Sequence, residues 1–479
     1  MGDGARQFVD FLMRSGQRIW QLLPLGPTSY GDSPYSCYSA FAGNPLLISP
    51  DDMVKGGWLD AQDLAAVDIP SGLDASKANY AFAYSSKSAL LRRAFERFRD
   101  SKTPCQVVDG FEAFCAEQRW WLDDFSLFAA TMKDEGTDDW TSWTDGLAQR
   151  DSEAMGRARD RLSAGIEYEQ FVQYIFYGQW QSLRKYARGK GVKMFGDMPI
   201  FVAHGSADVW ANQSVFALKR GGRPKLVAGV PPDYFSKTGQ LWGNPLYNWD
   251  ALRDSNYAWW TKRFRSAFDL YDLLRIDHFR GFEAYWEVSA EAKTAVGGRW
   301  VKGPGRAPFD AARAELGELP IIAEDLGMIT DEVHQLREDL EFPGMRVAQF
   351  GFDSEEDTFH RPETFPVDSA AYTGTHDNST IVGWMNERKD RPSDILRRYL
   401  EPPSPTSMPY HWQLISMVLR SASCISILPM QDILGLDDSA RMNIPGEASG
   451  NWGWRCRAED FSDEIADRLN VLCVASDRC

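Results

Sequence analysis

Residues 271–281 read YDLLRIDHFRG, a short apolar run whose far end carries an arginine, an aspartate and a histidine. It follows WWTKRFRSAF (259–268), where apolar residues recur at helical spacing. The pair reads as a helix leading into a short buried strand. The rhythm repeats in VKMFGDMPIFV (192–202), LPIIAEDLG (319–327), RVAQFGF (346–352), AAYTGTHDN (370–378) and CISILPMQDILG (424–435). Helical patterns such as DEVHQLREDL (331–340) and HWQLISMVLRSA (411–422) lie between most of them. Near the start, IWQLLPLGP (19–27) reads as a buried strand stopped by Pro and Gly. Short buried strands alternating with helices predict an α/β fold with parallel strands and right-handed crossovers.

Acidic residues stand at the C-terminal ends of five of these strands: Asp197, Asp277, Glu324, Asp377 and Asp432. In an open sheet they would spread along an edge, whereas a (β/α)8 barrel gathers all of them on one face. The TIM barrel is therefore the expected fold. Residues 51–179 carry helical periodicity in SKSALLRRAFERFRD and its neighbours and no convincing strand. They are expected to form a helical insertion within a single catalytic barrel spanning 1–479.

Composition narrows the function. The chain has 479 residues, 43% hydrophobic and 25% charged, within the range of globular proteins. A net charge of −16 opposes non-specific binding to nucleic acid or to anionic membranes. No Gly-rich phosphate-binding motif follows the early strands, so a nucleotide site has no support. Seven irregularly spaced cysteines with no CxxC pair point away from zinc and toward a reducing compartment, a cytoplasm or a plastid stroma. The 18 tryptophans suit both a large core and the apolar faces of sugar rings.

Glycosidic-bond cleavage needs two carboxyl groups, one to attack the anomeric carbon or activate water, one to protonate the leaving oxygen. RIDHFRG, AEDLG and GTHDN supply candidates beside Arg or His. Arg275 lies two residues before Asp277 and so shares its face of the strand, where its charge is expected to lower the aspartate's pKa. Asp325, adjacent to Glu324, is expected to raise the glutamate's by crowding. His278 and His376 lack the HExxH or paired-Cys setting of a metal site and read as partners for sugar hydroxyls.

These stretches, with WQLLPLGPTSYGDSPYSCYSAFAGNP, GDMPIFVAHGSADVW, GVPPDYFSKTGQLWGNPLYNW, FPGMRVAQFGF, PMQDILGLDDSARMNIPG and NWGWR, resemble the 4-α-glucanotransferases of the amylomaltase or disproportionating-enzyme type, in the broad α-amylase clan. The resemblance runs in order from near the first residue to about Arg455. It implies a retaining enzyme without cofactor or metal that moves α-1,4-glucan segments between maltodextrins. It casts Asp277 as nucleophile, Glu324 as acid/base and Asp377 as the carboxylate gripping the distorted sugar. Arg275, His376 and Asp197 match the supporting shell, and Tyr35 and Ser33 the active-site loop. Tyr30 matches a second glucan contact, and Tyr234 and Phe235 a covering loop. Trp242, Asn244 and His278 are further candidates for sugar contact. The family lacks a C-terminal β-sandwich domain, and none is expected here. It usually opens with a strand reading roughly GLLLHPTSLPGPYG, and the match here begins after it, so the first barrel strand is expected to be missing. The alternatives are an α-glucan hydrolase of the same clan and an inactive glucan-binding protein.

Overall fold

The computed structural model describes residues 1–100, 105–144, 146–232, 236–352, 358–387, 394–402, 404, 407–447 and 449–478. In chain order the strands are β1 (Ile19–Gln21), β2 (Lys193–Pro199), β3 (Leu226–Val230), β4 (Gln240–Pro245), β5 (Leu273–Asp277), β6 (Ala284–Ser289), β7 (Arg299–Lys302), β8 (Ile321–Ala323), β9 (Gly344–Val347), β10 (Ser369–Tyr372) and β11 (Ile425–Ile427). Each of the seven strand candidates named above overlaps one of them, RVAQFGF by only Arg346 and Val347, and those seven pair in parallel. β1-β2-β5-β8 form one run and β9-β10-β11 another. The runs meet where the Ala323 N–H donates to the Pro343 carbonyl beside β9 at 2.9 Å. The fold is α/β, as expected.

Side chains alternate across a strand. One set, Phe195, Ile322, Met345, Val347, Ala370 and Tyr372, joins in a buried cluster against which Ile19, Leu273, Ile425 and Ile427 pack, so every parallel strand contributes to one inner face. The intervening set, including Met194, Leu274, Ile276, Ile321, Ala323 and Ala371, belongs to the main core. Helices such as Ala258–Leu270 and Ser163–Gly189 contribute to that same core. In register, Asp197 lies opposite Arg275, and Arg275 opposite Ile322. Asp197 thus shares a face with Phe195, two residues nearer the strand end, and Arg275 and Ile322 lie level with it.

The arc ends on β1 and β11. Residues of these two strands line a common cavity of about 490 Å³, which Arg275, Tyr372 and His376 also reach.

Between β1 and β2 the described residues form helices, chiefly Tyr80–Phe98, Cys105–Glu135, Ser152–Arg161 and Ser163–Gly189. Asn79 caps the first of these by accepting from the Phe82 N–H, and Asp151 caps the third through Glu153 and Ala154. A second sheet, β4-β3-β6-β7, is antiparallel. Sequence periodicity did not mark it, because β4 is QLWGNP, half-exposed and closed by Gly and Pro.

Phe195 is fully buried in the inner cluster. Phe195→Ala is expected to cost about 3–5 kcal/mol, read as a drop in thermal midpoint. A shift under about 1 °C would mean the inner face is not close-packed.

Candidate active site

Arg275 is the hub. Only 5% exposed, it donates through Nη1 to Asp197 Oδ2 at 2.7 Å and through Nη2 to Asp277 Oδ1 at 2.9 Å. Its Nε faces Met345 Sδ at 3.4 Å. Tyr35 donates its hydroxyl to the same Asp197 oxygen at 2.6 Å. Burial and the Asp197 charge hold the Tyr35 phenol well above its usual pKa, so it stays a donor. Ser33 Oγ accepts from the Tyr35 N–H at 3.3 Å and shapes the turn that presents the ring. A buried cation shared by two carboxylates is stable only while both partners remain.

Glu324 follows β8 on the inner side. Its Oε2 accepts from the His278 N–H at 2.7 Å and its Oε1 from the Leu326 N–H at 2.8 Å. The first contact depends on His278 holding a left-handed φ of 55°, an uncommon conformation that histidine adopts more readily than most side chains. The His278 backbone, not its imidazole, therefore orients Glu324. Burial lowers the His278 ring to about 3, so it is neutral, and Trp242 packs edge-on against it at 4.8 Å.

Burial pushes the Glu324 carboxyl up to about 7, with Asp277's charge adding to the rise and Arg275 opposing it. Burial also raises Asp277, against the pull of Arg275. The expected net lowering of Asp277 is thus not found. Arg275 is hydrogen-bonded to Asp277 and not to Glu324, which favours the charged form on Asp277. The cause assigned to Asp325 is also corrected. Asp325 faces the other side of the strand, 1% exposed, accepting from the Met345 N–H at 2.6 Å and lying 3.4 Å from Arg337 Nε. Gly344 makes room for it, since a Cβ there would lie 2.4 Å from its Oδ2.

His376 stacks on Tyr35 (5.1 Å, 23°) and touches Trp452 at 5.7 Å. Its Nε2 lies 3.4 Å from Asp377 Oδ1. Asp377 is half exposed and Asn443 Nδ2 donates to its Oδ1 at 2.6 Å. Arg441 holds the Asp377 carbonyl at 2.6 Å.

The structure thus links Asp277, Glu324, Arg275, Asp197, Tyr35, Ser33, His278, His376, Asp377 and Trp242. Tyr30, 76% exposed, and Asn244, whose Nδ2 donates to the Val202 carbonyl at 3.0 Å, make no hydrogen bond to this group among the described residues. Tyr234 and Phe235 lie outside the described residues. Asn443, Arg441 and Trp452 were not singled out from sequence. They lie in PMQDILGLDDSARMNIPG and NWGWR, stretches that carried the family resemblance without offering a carboxylate to draw attention. Among the described residues no group of His, Cys, Asp and Glu could hold a metal, and no helix is long and apolar enough to cross a membrane.

A buried pair of carboxyl groups at the ends of parallel strands, one of them hydrogen-bonded to an arginine, is an arrangement suited to an α/β enzyme of acid–base chemistry. The family is settled by comparison. The model for 4-alpha-glucanotransferases matches residues 1–460, and the chain belongs to that family. It is 44% identical to the 4-alpha-glucanotransferase of Synechocystis sp., over 98% of this chain and 93% of the relative. It is 42% identical to that of Thermus thermophilus, over 100% and 95%. The structure of an amylomaltase from Streptococcus agalactiae in complex with acarbose superposes with a TM-score of 0.93 at 37% identity, covering 100% of this chain and 95% of that one.

Glu324 is uncharged in the folded protein up to about pH 7, against a usual 4.5. Its contribution to stability is therefore full below pH 4.5 and is lost as pH rises through 7. Glu324→Gln removes that loss, so the thermal midpoint of the variant minus that of the parent is expected to climb between pH 4.5 and pH 8. A difference independent of pH would show that Glu324 titrates normally.

Proposed function

We propose that this chain disproportionates α-1,4-glucans by a retaining double displacement, with Asp277 as nucleophile and Glu324 as acid/base. The observation that carries the assignment is the placing of Arg275 against Asp277 while both oxygens of the buried Glu324 rest on backbone N–H groups. Asp277 attacks the anomeric carbon of a maltodextrin, and the bond to the departing glucan oxygen breaks as Glu324 gives it a proton. Asp277 is left as a covalent glycosyl ester and Glu324 as a carboxylate. Glu324 then takes the proton of an incoming 4-hydroxyl, whose oxygen displaces Asp277 and forms a new α-1,4 bond. Asp377, with Asn443 on Oδ1, grips hydroxyls of the distorted sugar, and His376 and Asp197 support the pair. Trp242 and the stacked Tyr35–His376 faces offer apolar surface to sugar rings. Asn244 holds β4, and through it Trp242, in place; Tyr30 offers an exposed ring to a second stretch of glucan. No cofactor enters these steps.

The scaffold reading belongs to the same proposal. The seven parallel strands with one shared inner face form a (β/α)8-type barrel over 1–479, interrupted by the helices of 51–179, with an open position between β1 and β11.

Incubated with maltotriose, the protein is expected to release glucose and build maltopentaose and longer products. Glucose and maltose alone would identify a hydrolase. Asp277→Asn and Glu324→Gln are each expected to lower transfer by at least about 100-fold. In the parent, kcat/KM is expected to fall as pH rises through about 7, where Glu324 loses its proton. A basic limb unmoved in position and shape in Glu324→Gln would overturn the assignment.

A further inference from the structure

We propose that Asp432 is a positioning residue for Asp377, acting as a staple that pins both ends of the loop carrying it; this rests on the role given to Asp377 above. The loop runs from Thr373, just past β10, to Ile381, the first residue of the helix Ile381–Glu387. His376 and Asp377 stand at its middle. Asp432 follows β11 in a short helix, Met430–Ile433, and is 2% exposed. Its Oδ2 accepts from Thr373 Oγ1 at 2.6 Å and its Oδ1 from the Ile381 N–H at 2.8 Å. One side chain therefore ties the entry of the loop to its exit.

Two donors converge, one of them a backbone N–H that cannot reverse, and an ionised Asp is acceptor on both oxygens. The Thr373 hydroxyl can also accept, so an asparagine would keep both contacts, whereas an alanine removes both. Among the described residues no Arg, Lys or His forms an ion pair with Asp432, so its charge is borne by hydrogen bonds. Burial pushes its carboxyl up to about 6, with Thr373 and Ile381 opposing. Keeping a carboxyl in such a place is costly unless its geometry is needed.

The rest of the same segment closes the clamp. Asp438 Oδ1 accepts from the Thr380 N–H at 2.9 Å, and Gly383 leaves room for it, a Cβ there lying 2.1 Å from that oxygen. Arg441 bonds the Asp377 carbonyl at 2.6 Å and Ser379 Oγ at 3.1 Å. The Asn443 N–H reaches the His376 carbonyl at 3.0 Å. A half-exposed carboxylate on a nine-residue loop is thereby held by groups on a different strand connection. The loop itself supplies Thr375–Asn378 contacts at 2.8 and 2.9 Å, which shape its tip but anchor neither end.

The test compares Asp432→Ala, Thr373→Val, the double variant and Thr373→Ser in maltotriose disproportionation, with acarbose affinity by calorimetry. Small misplacement of a reacting group costs up to about 100-fold in rate. Asp432→Ala and Thr373→Val are expected to lose about 10- to 100-fold in kcat, with KM for maltotriose within about twofold. Acarbose affinity is expected to fall alongside kcat. Thr373→Ser, which keeps the hydroxyl, restores both. The double variant falls no further than the worse single one, because Asp432→Ala already removes the Thr373 bond. If Asp432→Ala does not fold, the Thr373 pair decides the matter. Thr373→Val with parental kcat and acarbose affinity would overturn the staple, as would a lower active fraction at unchanged kcat per site. A parent that neither transfers nor binds acarbose would instead overturn the functional reading beneath it.

Discussion

The site depends on one buried cation. Arg275 lies within the strand arc between Asp197 and Asp277, with Tyr35 completing the Asp197 side. Remove the guanidinium and two carboxylates stand a short distance apart with no positive charge between them, one of them 4% exposed and with an oxygen, Oδ1, that has no hydrogen-bond partner among the described residues. Neither would remain ionised without cost. Arg275 thereby favours the charged form of Asp277 against burial, holds the register-level neighbour Asp197, and through it ties the loop bearing Tyr35 to the strands. The aromatic contact from Tyr35 to His376 carries the same constraint across to the loop of Asp377.

In the roles proposed for them, acid and nucleophile are distinguished by neighbours rather than by burial, which raises both. Asp277 has the arginine, whereas Glu324 has only backbone N–H groups, one of them delivered by the left-handed backbone of His278. Electrostatic preorganisation of this kind is inexpensive at the moment of reaction because the donors are part of the strand ends themselves.

Much of this was legible in the chain. The seven parallel strands announced themselves because a strand buried on both faces is a continuous apolar run bounded by helical periodicity, and five of them ended in acids. Period-2 alternation placed Arg275 and Asp277 on one side. Two pKa arguments made from sequence were wrong in physical cause. Adjacency along the chain was taken for adjacency in space at Asp325, and desolvation, which has no sequence signature, outweighed Arg275 at Asp277. The antiparallel sheet was not visible because its strands are short and lack a helix-strand rhythm, with β4 half-exposed and closed by Gly and Pro. Asn443, Arg441 and Trp452 were missed because their roles arise from a loop folding back over another, 64 to 66 residues away for Arg441 and Asn443 on Asp377.

The most direct measurement is to trap the intermediate. Glu324→Gln incubated with an activated α-maltosyl fluoride needs no proton for departure of the leaving group but lacks the base for the second step. Peptide mass spectrometry is then expected to find a maltosyl ester on Asp277. Consumption of the fluoride with no adduct and with inverted product, or an adduct on another residue, would contradict a double displacement through Asp277.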